Sequence, residues 1–161
     1  MNQNSRKRIM SAIKNPAWVC FTWLGMTAGV SLLATPVRFS AETITRTIAL
    51  DVGRAVFAAL NKAEFVALIT ILIMIRASGK ARELWIAAFA LALILLLQAT
   101  WLLPELTART DLIIAGIEPE PSIAHAAYST LELSKIVLLA WLGFRSLQLL
   151  AFDGKSIAEQ S

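Results

Sequence analysis

Residues 84–103 read LWIAAFALALILLLQATWLL, a run in which Gln98 is the one strongly polar side chain. Coiled as a helix at about 1.5 Å per residue, this run is about 30 Å long, which matches the hydrocarbon core of a bilayer. Trp85 and Trp101 stand near its two ends, where indole rings sit well among lipid headgroups. The stretch therefore predicts a membrane-spanning helix, and its neighbours extend the prediction. Apolar runs at about 17–37, 55–75 and 129–150 have comparable length, so the expected fold is all-α, a bundle of four transmembrane helices.

Composition agrees with lipid as the surrounding solvent. Of 161 residues 57% are hydrophobic and 16% charged, too apolar a balance for a soluble domain of this size. The single cysteine, Cys20, lies inside an apolar run; this excludes a disulfide framework or a CxxC pattern and reads as a small buried hydrophobe. A net charge of +4 does not imply nucleic acid, because the bases stand at the edges of apolar runs instead of forming one patch. The partner they point to is the bilayer.

Outward from the third span, residues 76–83 carry Arg76, Lys80 and Arg82 around a Ser-Gly pair, a tight basic turn expected on the cytoplasmic side. Residues 1–16 hold Arg6, Lys7, Arg8 and Lys14 and form a basic cytoplasmic segment before the first span. A basic start followed by an apolar run is also the plan of a signal peptide, but about twenty apolar residues exceed the usual 7–15, which predicts a retained helix. Pro36 and Pro104 are expected to end spans one and three. Residues 38–54, which mix Arg38, Glu42, Arg46, Asp51 and Arg54 with apolar residues, suit a short interfacial helix between spans one and two. The segment 105–121 has four acids against one base and belongs outside, and 153–161 is a short polar tail. The balance of bases predicts both termini in the cytoplasm of a multi-pass protein of the bacterial inner (cell) membrane type.

Two spans depart from plain apolarity. The second carries Asn61, Lys62 and Glu64; two central charges cost about 5–7 kcal/mol to insert, against about 3–5 kcal/mol returned by the large apolar residues from Phe65 to Ile75. It is therefore expected to insert with a partner that satisfies those groups, or with Lys62 reaching back to the interface. The fourth span opens with His125, Tyr128, Glu132 and Lys135, spaced three, four and three residues apart on one helix face. Glu132 and Lys135 can neutralise one another as an i,i+3 pair. The chain also echoes itself at an offset of 68 residues: Pro36 with Pro104, Phe57 with His125, Leu60 with Tyr128, Asn61 with Ser129, Glu64 with Glu132. Two tandem helix pairs running in the same direction would bring Glu64 and Glu132 to equal depth and face to face. Two facing carboxylates with a lysine between them can bind or pass a proton, so Asn61, Glu64, His125, Tyr128, Glu132 and Lys135 are the candidate ligand-binding residues.

Metal chemistry fits less well. His125 and Glu132 lie about 10.5 Å apart along a helix and cannot grip one ion together, and the Glu-x-x-His spacing of di-metal bundles is absent. No metal site is expected. A haem axial position needs one histidine, which keeps haem open as a cofactor through His125. HExxH, GxSxG, Walker-type and dinucleotide-binding patterns are missing, so no enzyme class is indicated.

The motif Phe57-Ala-Ala-Leu60-Asn61-x-x-Glu64, followed by Pro104, Arg109 and His125-x-x-Tyr128-x-x-x-Glu132-x-x-Lys135, resembles a small uncharacterised four-helix membrane family near the copper resistance D-like membrane domains. The resemblance covers most of residues 17–150. It implies a four-span integral membrane protein whose wider neighbourhood includes copper handling and haem or porphyrin chemistry. One His, one Cys and four Met do not supply a copper relay. The expected function is a polar intramembrane pocket for a small ligand, ion or proton. A haem-, porphyrin- or quinone-linked oxidoreductase is one alternative, and an assembly subunit of a larger membrane complex or homo-oligomer is another.

Overall fold

The computed structural model describes residues 3–79 and 82–159. They form α1 (Gln3–Ile13), α2 (Ala17–Ala28), α3 (Thr35–Ser40), α4 (Arg46–Ser78), α5 (Arg82–Leu97), α6 (Leu103–Ile114) and α7 (Ala124–Glu159), with π-helical turns at Gly29–Ala34 and Gln98–Leu102. No strand occurs among the described residues. The chain is an all-α four-helix bundle: Ile9–Ser40, Arg46–Ser78, Arg82–Ile114 and Ala124–Phe152 are each long and apolar enough to cross a membrane.

The surface is apolar where a soluble protein would be polar. Leu33, Val66, Ile73, Ile86, Phe89 and Val137 all point outward and are well exposed. In water such a belt would drive aggregation; against lipid tails it costs nothing, and the helices associate instead through packing and buried polar contacts. Neighbouring spans in sequence are neighbours in space, and the ring closes where α2 lies along α7. Gly143 makes that approach close, since a Cβ there would come within 2.8 Å of the Phe21 ring.

Both prolines lie inside helices instead of ending them. A proline ring clashes with the carbonyl four residues back and offers no N–H. Here the helix widens just before each one: the Thr35 N–H reaches Val30 O, and the Leu103 N–H reaches Gln98 O, each five residues back. The π turn absorbs the strain that would otherwise break the helix. Span one therefore continues to Ser40, and span three continues to Ile114 through residues expected to be loop.

The region expected to be an interfacial helix is divided between its neighbours. Residues 38–40 finish α3, 41–45 make the connection, and α4 begins at Arg46, where the Thr45 hydroxyl accepts a hydrogen bond from the Ile48 N–H. At its other end α4 stops at Gly79 in the left-handed conformation (φ 61°), a helix-ending geometry that glycine adopts at little cost. Lys80, counted in the basic turn, lies outside the described residues. Helix α7 runs on to Glu159 through most of the stretch expected to be a tail, and residues 160–161 lie outside the described residues.

Along its axis the bundle has two different halves. Toward the termini, Cys20, Ile71, Ile75, Leu84, Leu91, Leu95, Leu139 and Leu142 make a closed aliphatic core. Toward the 41–45 and 115–123 connections, the buried apolar cluster shrinks to Leu102, Ala124 and Tyr128 with partly buried neighbours. A polar cluster and a cavity take the remaining space.

Candidate functional site

Every span sends polar side chains to one point midway along the bundle. Lys135, fully buried on α7, places its Nζ 2.6 Å from Glu64 Oε1 and 2.8 Å from Glu132 Oε1. It also donates a 3.0 Å hydrogen bond to Gln98 Oε1, while Gln98 Nε2 donates to Glu132 Oε1 at 3.0 Å. Glu64 Oε1 accepts from Trp23 Nε1 and from the Thr27 hydroxyl, both at 2.9 Å. Glu132 Oε2 accepts from the Ser31 hydroxyl at 3.0 Å. Spans one to four thus supply Trp23, Thr27 and Ser31; Glu64; Gln98; and Glu132 with Lys135.

The charges do not balance. Two buried carboxyl groups share one buried amine, so acids outnumber bases in the part of the bundle where a bare charge is most expensive. The hydrogen bonds are uneven as well. All contacts to Glu64 fall on Oε1, and Glu64 Oε2 is buried with no hydrogen-bond partner among the described residues. Asn61, one turn earlier on the same buried face, has an Nδ2 in the same condition. A buried carboxylate oxygen without a donor is stabilised by taking a proton or contacting a cation.

A cavity of about 280 Å3 reaches this cluster from the side of the 41–45 connection. Ser31 and Glu132 line its deep end, while Arg38, Arg54 and His125 line it about two helical turns further out. Tyr128 stands between, its ring edge-on to Phe57 with centroids 5.4 Å apart. The cavity sits where span one leaves span four: α2 lies along α7, but past the π turn α3 packs on α4. Leu32, Phe39 and Leu133 also line it and are more than half exposed on the lipid-facing surface, so it has an apolar side opening.

Of the sequence-predicted residues, Glu64, Glu132 and Lys135 come into direct contact. Asn61 is buried beside them, Tyr128 is buried on the cavity wall, and His125 is exposed at the rim. Lys62 is exposed and turned away from the cluster. Among the described residues no three His, Cys, Asp or Glu side chains gather as metal ligands do. Gln98 stood out in the sequence as polar but not as part of a site. Trp23, Thr27 and Ser31 were missed, although their four-residue spacing, continued by Thr35, marks one stripe of a helix. Small hydroxyl residues are unremarkable in a membrane span, which hid the stripe.

The fold and site define a multi-pass membrane protein with a buried polar centre. Compared with protein-family models, curated proteins and solved structures, the chain finds no match.

Proposed function

We propose that this protein takes up a proton or small cation from one side of the membrane into a central site made by Glu64, Glu132 and Lys135, with Asn61, Tyr128 and His125 along or beside the approach. The observation that carries the reading is the pairing of two buried carboxylates with a single buried ammonium at the end of a cavity. An arriving cation meets Glu132 first. Glu64 lies behind Lys135, and beyond it the aliphatic core closes the path toward the termini. That asymmetry favours one-sided uptake over an open pore.

The test is proton uptake by the protein reconstituted in liposomes with an internal pH-sensitive dye. Glu132→Gln and Glu64→Gln should each abolish uptake while leaving insertion and helical content intact; uptake at the wild-type rate in both variants sinks the reading. The optical spectrum of the same preparation tests the oxidoreductase alternative, which requires a visible absorption band that disappears in His125→Ala.

Two further parts belong to this proposal. The excess of bases at the termini and in the 76–83 turn supports cytoplasmic ends in an inner membrane of bacterial type, and the cavity then opens to the outer side. A reporter fused after Ser161 that is active only outside would reverse this. Tandem helix pairs are supported by the matched π turns: Val30 and Thr35, Gln98 and Leu103, all lie at the offset of 68 residues that relates Glu64 to Glu132. Kinship with the four-helix family near the copper resistance D-like domains rests on the quoted motif.

A further inference from the structure

We infer that the outer part of the cavity binds the anionic head of a single-chain amphiphile, held by Arg38 with its tail leaving sideways between Leu32 and Leu133. The inference rests on the pocket reading above for the cavity's being a binding site, and adds a ligand class to it. Three observations carry it. First, Arg38 has no carboxylate partner among the described residues, and its Nε is buried without a hydrogen-bond partner. The neighbouring Arg54 differs: it is paired with both Asp51 and Asp111, so its charge is already answered. A guanidinium presents planar paired donors suited to carboxylate or phosphate, and Arg38 has them to spare.

Second, the guanidinium is seated, not waving. A Cβ at Gly53 would lie 2.7 Å from Arg38 Nη2 and 3.1 Å from its Cζ, so α4 passes directly beneath the charged head because position 53 is glycine. The Phe39 ring lies 5.3 Å from the same Cζ and shields another side. Third, the lining between Arg38 and the deep end is mostly apolar, through Leu50, Phe57, Leu103 and Leu106, and the cavity opens toward lipid where Leu32 and Leu133 are exposed. Its volume of about 280 Å3 is near the lower end for small-molecule pockets, which suits one chain better than a two-chain lipid. Glu132 at the deep end repels an anionic head and fixes the orientation: head at Arg38, tail outward.

The experiment measures equilibrium binding of radiolabelled decanoate to the full chain in nanodiscs of zwitterionic lipid, corrected for empty discs. Wild type should bind saturably. Arg38→Gln should weaken binding about tenfold or more, since a charge-assisted contact is lost, and Arg38→Lys should restore part of it. Gly53→Val keeps the charge but displaces the guanidinium, and should weaken binding as well. Arg145→Gln, which removes a cation at the opposite end, should bind as wild type does. Unlabelled decanol, which has the tail without the charge, and inorganic phosphate, which has charge without a tail, should not compete. Non-saturable binding by wild type, or unchanged binding in Arg38→Gln with the same helical content, overturns the proposal. Competition by decanol equal to that of decanoate, or by phosphate alone, overturns it too. Glu132→Gln separates this from the proton reading, because it should lose uptake yet still bind decanoate.

Discussion

The half of the bundle near the termini and the half near the 41–45 connection are built from the same helices, yet they handle space in opposite ways. In the first half α2 and α7 lie close enough for Phe21 to fit over Gly143 and for its ring to meet Phe144 edge-on, and the interior is filled by aliphatic side chains. In the second half two π turns redirect spans one and three, and a cavity lies between the helices. The polar cluster sits at the boundary. The difference teaches that a dry half can position an expensive polar centre while a looser half gives access to it. Neither would serve alone, because a closed bundle would isolate the carboxylates and an open one would let the spans drift.

The most severe way to break this arrangement is to remove the charge at the boundary. Lys135→Met leaves Glu64 and Glu132 buried without a counterion and should destabilise the fold by about 3–5 kcal/mol, read as a lower unfolding midpoint in mixed micelles. The triple change Glu64→Gln, Glu132→Gln, Lys135→Met removes all three charges and should recover most of that loss. If the triple variant is no more stable than Lys135→Met alone, the cost lies in packing and not in uncompensated charge. The next test compares the halves directly. Leu142→Ala, in the filled half, should cost about 2–4 kcal/mol because it opens a void that its neighbours cannot close. Leu103→Ala, on the cavity wall, removes a side chain that is only partly buried and has fewer packed neighbours to lose, so it should cost less than Leu142→Ala. Equal losses at the two sites would mean that the cavity wall is packed as tightly as the core.

Much of this was legible in the sequence because hydropathy sums over many residues. Small errors in placement leave four apolar helices recognisable, and the charges of Glu64, Glu132 and Lys135 are conspicuous against such a background. The 68-residue offset that relates Pro36 to Pro104 and Glu64 to Glu132 drew attention to the two carboxylates that Lys135 bridges. What stayed hidden depended on local geometry or on partners distant in the chain. Pro36 and Pro104 have the same composition signal whether a helix stops or widens into a π turn, and only the backbone distinguishes the two. Arg38, Glu42, Arg46, Asp51 and Arg54 suggested a surface helix over 38–54; the last three instead lie in the opening turns of α4, where Arg54 meets Asp111. The contribution of span one to the site was obscured because Thr27 and Ser31 carry no charge. Arg38 gave no sign of being unpaired, since that depends on where Asp51 and Asp111 end up.

The finest distinction between the halves concerns two hydroxyls one turn apart on span one. Thr27 donates to Glu64 on the dry side, where it is fully buried, and Ser31 donates to Glu132 at the deep end of the cavity. A hydrogen bond between membrane helices is worth about 0.6 kcal/mol on average, because the alternatives are never wholly unpaired. Its loss should nevertheless be felt unequally. After Thr27→Val, Glu64 Oε1 retains Trp23 and Lys135, but nothing can enter to replace the lost donor, so the change should cost about 1 kcal/mol. After Ser31→Ala, Glu132 still lines a cavity from which a solvent donor can replace the lost hydroxyl, and the cost should fall within a few tenths of a kcal/mol. Paired unfolding measurements on the two variants decide the matter. If Ser31→Ala proves the more damaging, the cavity end of the cluster is as dry as the rest, and access through that half must be abandoned.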